Sequence, residues 1–338
     1  MNFKYSSGSS SPTGKFSALA VAVASHEDHE AWEMIFKYVK TLNSPSVHLA
    51  DGATAITKAI DEIFGLQNCT RIMCYPHVYR NVVPQLKSVN TFNKSVGAGI
   101  LRDIEFMQWS VLNHQSFIKV YDLLEQKYLR KHDATVNKAI ETFFQYMRSV
   151  WIESKQNLWF EGAHPWKISN NQGVEGKNKA IKQSHTFRRR LDMGQLFNVL
   201  LNMVSEWSRE DQSLLLSSRL DSLFDQKDSL KLRTEGYQWY KSNMSKSDRI
   251  LRINPRGKYS VNANVVNLWA VACSNDDLGS STSTSLKENA KLRMKQRELP
   301  DCLSLDEYMS VRSSCWILEE VDGNFFCDCP IGMKVSIH

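Results

Sequence analysis

No apolar run in this chain is long enough to cross a bilayer. The best of them, Ala18 to Ala24, falls far short of the roughly 20 residues that a spanning helix needs. The N-terminal stretch, Met1 to Gly14, is rich in Ser and Gly and lacks the apolar core of a secretory signal. Residues 1–15 read as a flexible segment. A disulfide frame is missing too, because the seven cysteines are odd in number and scattered. Cys69 and Cys74 share one region, Cys273, Cys302 and Cys315 stand alone, and Cys327 and Cys329 are close together. That pattern excludes a small secreted disulfide scaffold and suits a reducing compartment, with room for a metal site. There is no internal repeat and no strong overall charge: the net value is +6 and the pI about 8.8, a mild bias toward polyanions.

With 338 residues, 42% of them hydrophobic and 23% charged, the chain can bury a full core as one large domain plus an appendage. Phe16 to Ala24 is apolar and of strand length. A helix follows from about Asp28 to Leu42, with Trp32, Ile35, Phe36 and Val39 at helical spacing and Ser25 or Asp28 as cap. Ser46 to Ala50 predicts a second strand, Ala53 to Phe64 a second helix, Arg71 to Cys74 a third strand and Val78 to Val89 a third helix. This alternation predicts an α/β fold with a parallel portion of sheet covered by helices. From about Ser95 to Trp151 the pattern is helical and Trp159 to Pro165 is a loop, the whole an insertion at about 95–165 into the α/β core. Asn275 to Ser285 reads as a linker, followed by a basic helix from Leu286 to Glu298. Cys315 to Leu318 and Phe325 to Asp328 read as short strands around an Asp322-Gly323 turn.

The chemistry-bearing residues are sparse. Asp51 stands where an apolar run ends, with Gly52 behind it to leave room for a ligand. Glu175 is the one acid between Lys167 and Arg190, a stretch with seven Lys or Arg. Two-metal cleavage of phosphodiesters needs carboxylates that converge from a strand end and a neighbouring helix. Each acid has a plainer reading: Asp51 as a helix N-cap, Glu175 as a first-turn acid favoured by the helix dipole. The basic stretch reads equally as a solvated helix face or as a track for a phosphate backbone. For Trp159 and Trp166, core packing is preferred over base stacking.

Two segments resemble Mutator-like element transposases. One is Leu49-Ala50-Asp51-Gly52-Ala53-Thr54-Ala55-Ile56, continued by Cys74-Tyr75-Pro76-His77 and Arg80-Asn81. The other is Asn170-Asn171 through Val174-Glu175-Gly176-Lys177-Asn178. The resemblance spans about Phe16 to Met203. It implies an RNase H/integrase-like core with a helical insertion, and cut-and-paste DNA transposition with Mg²⁺ or Mn²⁺. Asp51 would be the second and Glu175 the third carboxylate of the family's triad. Cys74 and His77 would be its signature pair near the site, with a buried Cys and a packed His as the plainer reading. Lys177, Lys179, Lys182, Arg188, Arg189 and Arg190 would lie along the DNA. The family's first Asp precedes the strand matched by Phe16 to Ala24, and residues 1–15 contain no acid. The expectation is therefore a catalytically incomplete core.

Cys327-Asp328-Cys329-Pro330-Ile331-Gly332-Met333-Lys334 resembles the opening of a SWIM zinc finger, which implies Zn²⁺ held by Cys327, Cys329 and His338, with Cys315 as a further thiolate on offer. The implied layout is a flexible segment at 1–15, the transposase core at 16–210 with its insertion at about 95–165, a helical and linker region at 211–300, and the degenerate finger at 301–338. DNA is the implied partner, the nucleus the implied location, and a homo-oligomer is compatible with both. A transposase-derived transcription regulator that binds DNA without cutting it, a zinc-binding interaction protein, a product with no selected function, and an unrelated nuclease stay open as alternatives.

Overall fold

The computed structural model describes residues 5–10, 16–24, 26, 28–42, 45–65, 67–164, 175–176, 179, 183, 191–217, 234, 237–238, 241, 249–253, 265–272, 286–297, 300, 302–321 and 323–329. The chain is mixed α/β, mostly helical, with small sheets. Contacts divide it into two units, Met1–Arg71 with Asn170–Gln238, and Ile72–Ser169 with Trp239–His338.

In the first unit, β1 (Tyr5–Ser10) pairs antiparallel with β2 (Phe16–Ala22), the register slipping between Ser7 and Gly8. The stretch expected to be only flexible therefore contributes a strand; its small residues carry no alternating apolar signal that would have revealed it. Helix α1 (His29–Leu42) starts at Asp28, whose Oδ1 accepts the Ala31 N–H at 2.9 Å, filling one of the orphan donors of the first turn. Its Ala31, Ile35, Phe36 and Val39 are buried. They meet Ile56, Ala59, Ile60 and Phe64 of α2 (Thr54–Phe64) in one core. Each fully buried Ile or Phe there contributes about 1.5–3 kcal/mol. Helix α2 stops at Gly65, which takes φ +74°, a conformation costly for a residue with a Cβ.

Between these helices, β3 (Val47–Ala50) is hydrogen-bonded to β4 (Thr70–Met73), with Thr70 N–H donating to Ser46 O at 2.8 Å. Among the described residues β1–β2 and β3–β4 are two separate sheets, not the single sheet that the βαβ alternation predicts. A later helix, α8 (Met193–Ser217), buries Leu196, Leu200 and Met203 against Val23, Leu191 and Trp207.

The second unit begins with α3 (Tyr75–Gln85) and α4 (Lys87–Phe92). These replace the single helix expected from Val78 to Val89. Pro84 lies one residue from the break; it lacks an N–H and its ring crowds the preceding turn. Then come α5 (Lys94–Ser110), α6 (His114–Tyr128) and α7 (Ala134–Met147), capped in turn by the side chains of Asn93, Asn113 and Asp133. Their apolar faces enclose Phe117, Tyr121, Phe143, Phe144, Trp159 and Phe160. Trp159 is 1% exposed and donates to Trp151 O at 2.9 Å. It is core, as preferred from sequence; Trp166 lies outside the described residues.

The rest of this unit is a four-stranded antiparallel sheet in the order β5 (Ile250–Ile253), β6 (Asn267–Ala272), β7 (Cys315–Val321), β8 (Asn324–Cys327). It carries two helices, α9 (Leu286–Lys295) and α10 (Leu305–Ser314). Gly323, at φ +77°, turns β7 into β8, and both strands stand where the sequence predicts them. Leu305 and Tyr308 of α10 belong to the same buried cluster as α5 to α7, and Tyr308 donates to Ser110 O at 3.1 Å. The helical insertion and the C-terminal part thus share one core.

Candidate functional site

Asp51 directly follows β3. Its Oδ1 accepts the N–H of Ala53 at 3.0 Å, an Asx turn that delivers Ala53 as the residue before α2. So Asp51 is not itself the N-cap; it ties down the turn in front of it. The buried guanidinium of Arg71 donates through Nη2 to the Asp51 carbonyl. Burial lowers the pKa of Arg71, and the Asp51 carboxylate opposes that shift by favouring the charged form. A fixed positive charge therefore sits beside the acid that would have to hold a divalent ion.

Glu175 is half-buried, in helical backbone, and belongs to the same compact unit as Asp51. Lys179, a turn further on, is exposed. Lys177, Lys182, Arg188, Arg189, Arg190 and His338 lie outside the described residues. Cys74 and His77 belong to the second unit. Cys74 is fully buried, and its carbonyl accepts from His77 N at 3.0 Å and Val78 N at 3.3 Å to start α3; the His77 side chain is half-buried. Both fit the plainer reading of a small core Cys and a packed His.

At the end of β8 the thiols of Cys327 and Cys329 lie together. A hydrogen bond to the Cys329 side chain, and then burial, push the Cys327 thiol up. The Cys329 N–H points at Cys327 Sγ, 3.4 Å away. What holds this pair in place was not visible in the sequence. Asp328, between them and 3% exposed, accepts the Ile317 N–H at 2.7 Å. Its Oδ2 lies 3.0 Å from Arg293 Nη2, 3.3 Å from Arg312 Nη1 and 3.5 Å from Arg297 Nη2. Arg297 also pairs with buried Glu319. Cys315 is fully buried in the apolar cluster around Leu268 and Ile317, where burial raises its thiol pKa.

One further convergence escaped sequence reading. Among the described residues, His29 and Glu33 of α1 and Glu62 of α2 bring one potential ligand atom each to within 4.8 Å of one another. His29 and Glu33 lie one helical turn apart, a spacing too common to flag alone. The hydrogen bond and charge of Lys37 hold the Glu33 carboxyl below its ordinary range.

No protein-family model matches this chain, and neither a curated protein nor a solved structure shows significant similarity to it.

Proposed function

We propose that this chain is a DNA-binding protein derived from a Mutator-like transposase, with an RNase H-like core, that holds DNA in the nucleus without cutting it. The observation that carries the reading is the setting of Asp51. It ends a strand and precedes a helix, as the resemblance requires, yet one of its carboxylate oxygens is tied into an Asx turn and Arg71 sits beside it. Two metal ions need several hard oxygen ligands facing one another. With one carboxylate oxygen held in the turn and a buried guanidinium close by on the Asp51 carbonyl, the residue fits a Mg²⁺ or Mn²⁺ pair poorly, so no cleavage step is assigned to Asp51 and Glu175. The run from Lys167 to Arg190 keeps its seven basic residues, and such side chains bind phosphates without reading sequence. At the C-terminal end, Cys327 and Cys329 fit half of a zinc site; bound there with His338, Zn²⁺ would clamp the tail structurally.

Fluorescence anisotropy of a labelled DNA duplex, titrated with the full chain at several salt concentrations, tests this directly. Affinity is expected to fall steeply with salt, and Lys179→Glu to weaken it and lower the salt slope by about 1 or more. A supercoiled plasmid incubated with the protein and Mg²⁺ or Mn²⁺ should stay intact. Absence of salt-sensitive binding overturns the DNA-binding reading. Nicking that disappears in Asp51→Ala restores the enzyme and overturns the claim that the chain does not cut.

A further inference from the structure

His29 Nε2 is buried, and it lies 2.7 Å from Glu62 Oε2. That distance suits a hydrogen bond, but the ring N–H is not aimed at the oxygen and no hydrogen bond forms. An imidazole nitrogen and a carboxylate oxygen are thus pressed together with no proton aligned between them. Glu33, one turn along α1 from His29, adds a second carboxylate to the group. Two ligands each about 2.1 Å from one ion are about 3 Å apart at right angles and about 4.2 Å apart when opposed. The three atoms all lie within 4.8 Å of one another, so small side-chain rotations bring them to one ion.

The present partners of the two carboxylates are weak rivals. Lys37 Nζ is 2.6 Å from Glu33 Oε1 and Lys58 Nζ 3.8 Å from Glu62 Oε1, and both lysine side chains are more than half exposed, at 63% and 62%. Ion pairs of this kind contribute little, and a divalent ion that touches the imidazole as well as both carboxylates displaces them readily. The scaffold behind the ligands is firm: α1 and α2 are fixed to each other by the buried Ile35, Phe36, Ile56 and Ile60.

We propose that His29, Glu33 and Glu62 form a binding site for one divalent first-row transition ion, such as Zn²⁺, that staples α1 to α2. One imidazole with two carboxylates favours such ions over Mg²⁺, which prefers all-oxygen octahedral surroundings. Three protein ligands leave a coordination position for water. This site is independent of the thiols at the end of β8 and of DNA binding.

The test uses the full chain carrying Cys327→Ser and Cys329→Ser, stripped with a chelator and dialysed, so that those thiols contribute nothing. Calorimetric titration with Zn²⁺ should show one ion per chain. His29→Ala and Glu62→Gln should each weaken binding about tenfold or more, with circular dichroism confirming that the variants remain folded. The Glu62 side chain is 44% exposed, so the second variant keeps the test decisive if the first fails to fold. Co²⁺ should give d–d absorption with no thiolate charge-transfer band. Zn²⁺ should raise the melting temperature by mass action on the folded state, and Mg²⁺ at the same concentration should not. No bound Zn²⁺, unchanged affinity in both variants, a thiolate band, or equal stabilisation by Mg²⁺ would each overturn the assignment.

Discussion

The two units differ in how much charge they bury. In the first, His29, Glu33, Glu62 and Asp51 stand at element ends and helix surfaces, half-buried or exposed. Its helix–helix core is apolar, with the His48 ring held neutral between Phe36 and Phe64, and Arg71, bonded to the Asp51 carbonyl, is a buried charge outside that core. In the second, Arg293, Arg297, Arg312, Glu319 and Asp328 are all buried and fastened to one another. Charge near solvent remains available to a ligand, whereas charge locked in a buried network fixes architecture. The contrast explains why the chain offers its candidate cation site in the first unit. In the second, the same kinds of side chain hold β8 and the Cys327–Cys329 pair in place.

The sharpest way to break this contrast is Asp328→Ala. It leaves buried guanidiniums without their shared carboxylate and should cost about 3–5 kcal/mol in urea unfolding. Glu62→Gln, by comparison, should change metal-free stability by less than about 1 kcal/mol. Similar costs for the two would abolish the distinction drawn between the units. Next in size is Gly162→Ala. A Cβ there would lie 2.2 Å from Val111 O and 2.4 Å from Leu112 Cα. Because backbone must move, a loss of about 1–3 kcal/mol or more is expected, visible as a lowered urea midpoint.

His48 sharpens the other half of the comparison. Burial lowers its pKa from 6.5 to about 4. As pH falls below 6.5 the unfolded chain takes up a proton that the folded chain refuses. The stability linked to this ring is therefore full above pH 6.5 and is lost as pH falls toward 4. His48→Leu should flatten that part of the pH–stability curve; an unchanged slope would mean that the ring is open to water. A modest effect is expected for Asp51→Ala. Loss of one side-chain bond in the turn before α2 should cost about 1 kcal/mol, measured by thermal unfolding.

Much of the local structure was legible. The apolar spacing of Ile35, Phe36 and Val39 placed α1, the polar Asp28 marked its start, and Asp322-Gly323 marked the turn between β7 and β8. These signals work because helix period, cap chemistry and turn glycine act over a few residues. The stretch at 286–298 read as a basic helix, and within it Arg293 and Arg297 prove to be 0% and 6% exposed. No local pattern announces that Asp328, more than thirty residues away, will neutralise them. Pro84 was a local signal for the break between α3 and α4 that the apolar period outweighed.

By itself the sequence determined where helices begin, which faces are apolar, and that an Asp would end a strand ahead of α2, since each depends on neighbours along the chain. Only the tertiary structure decided that Asp51 would sit beside Arg71, that Asp328 would gather three arginines, and that Glu62 would reach His29 across two packed helices. Those outcomes depend on distances between residues far apart in sequence, and packing of the apolar faces sets such distances.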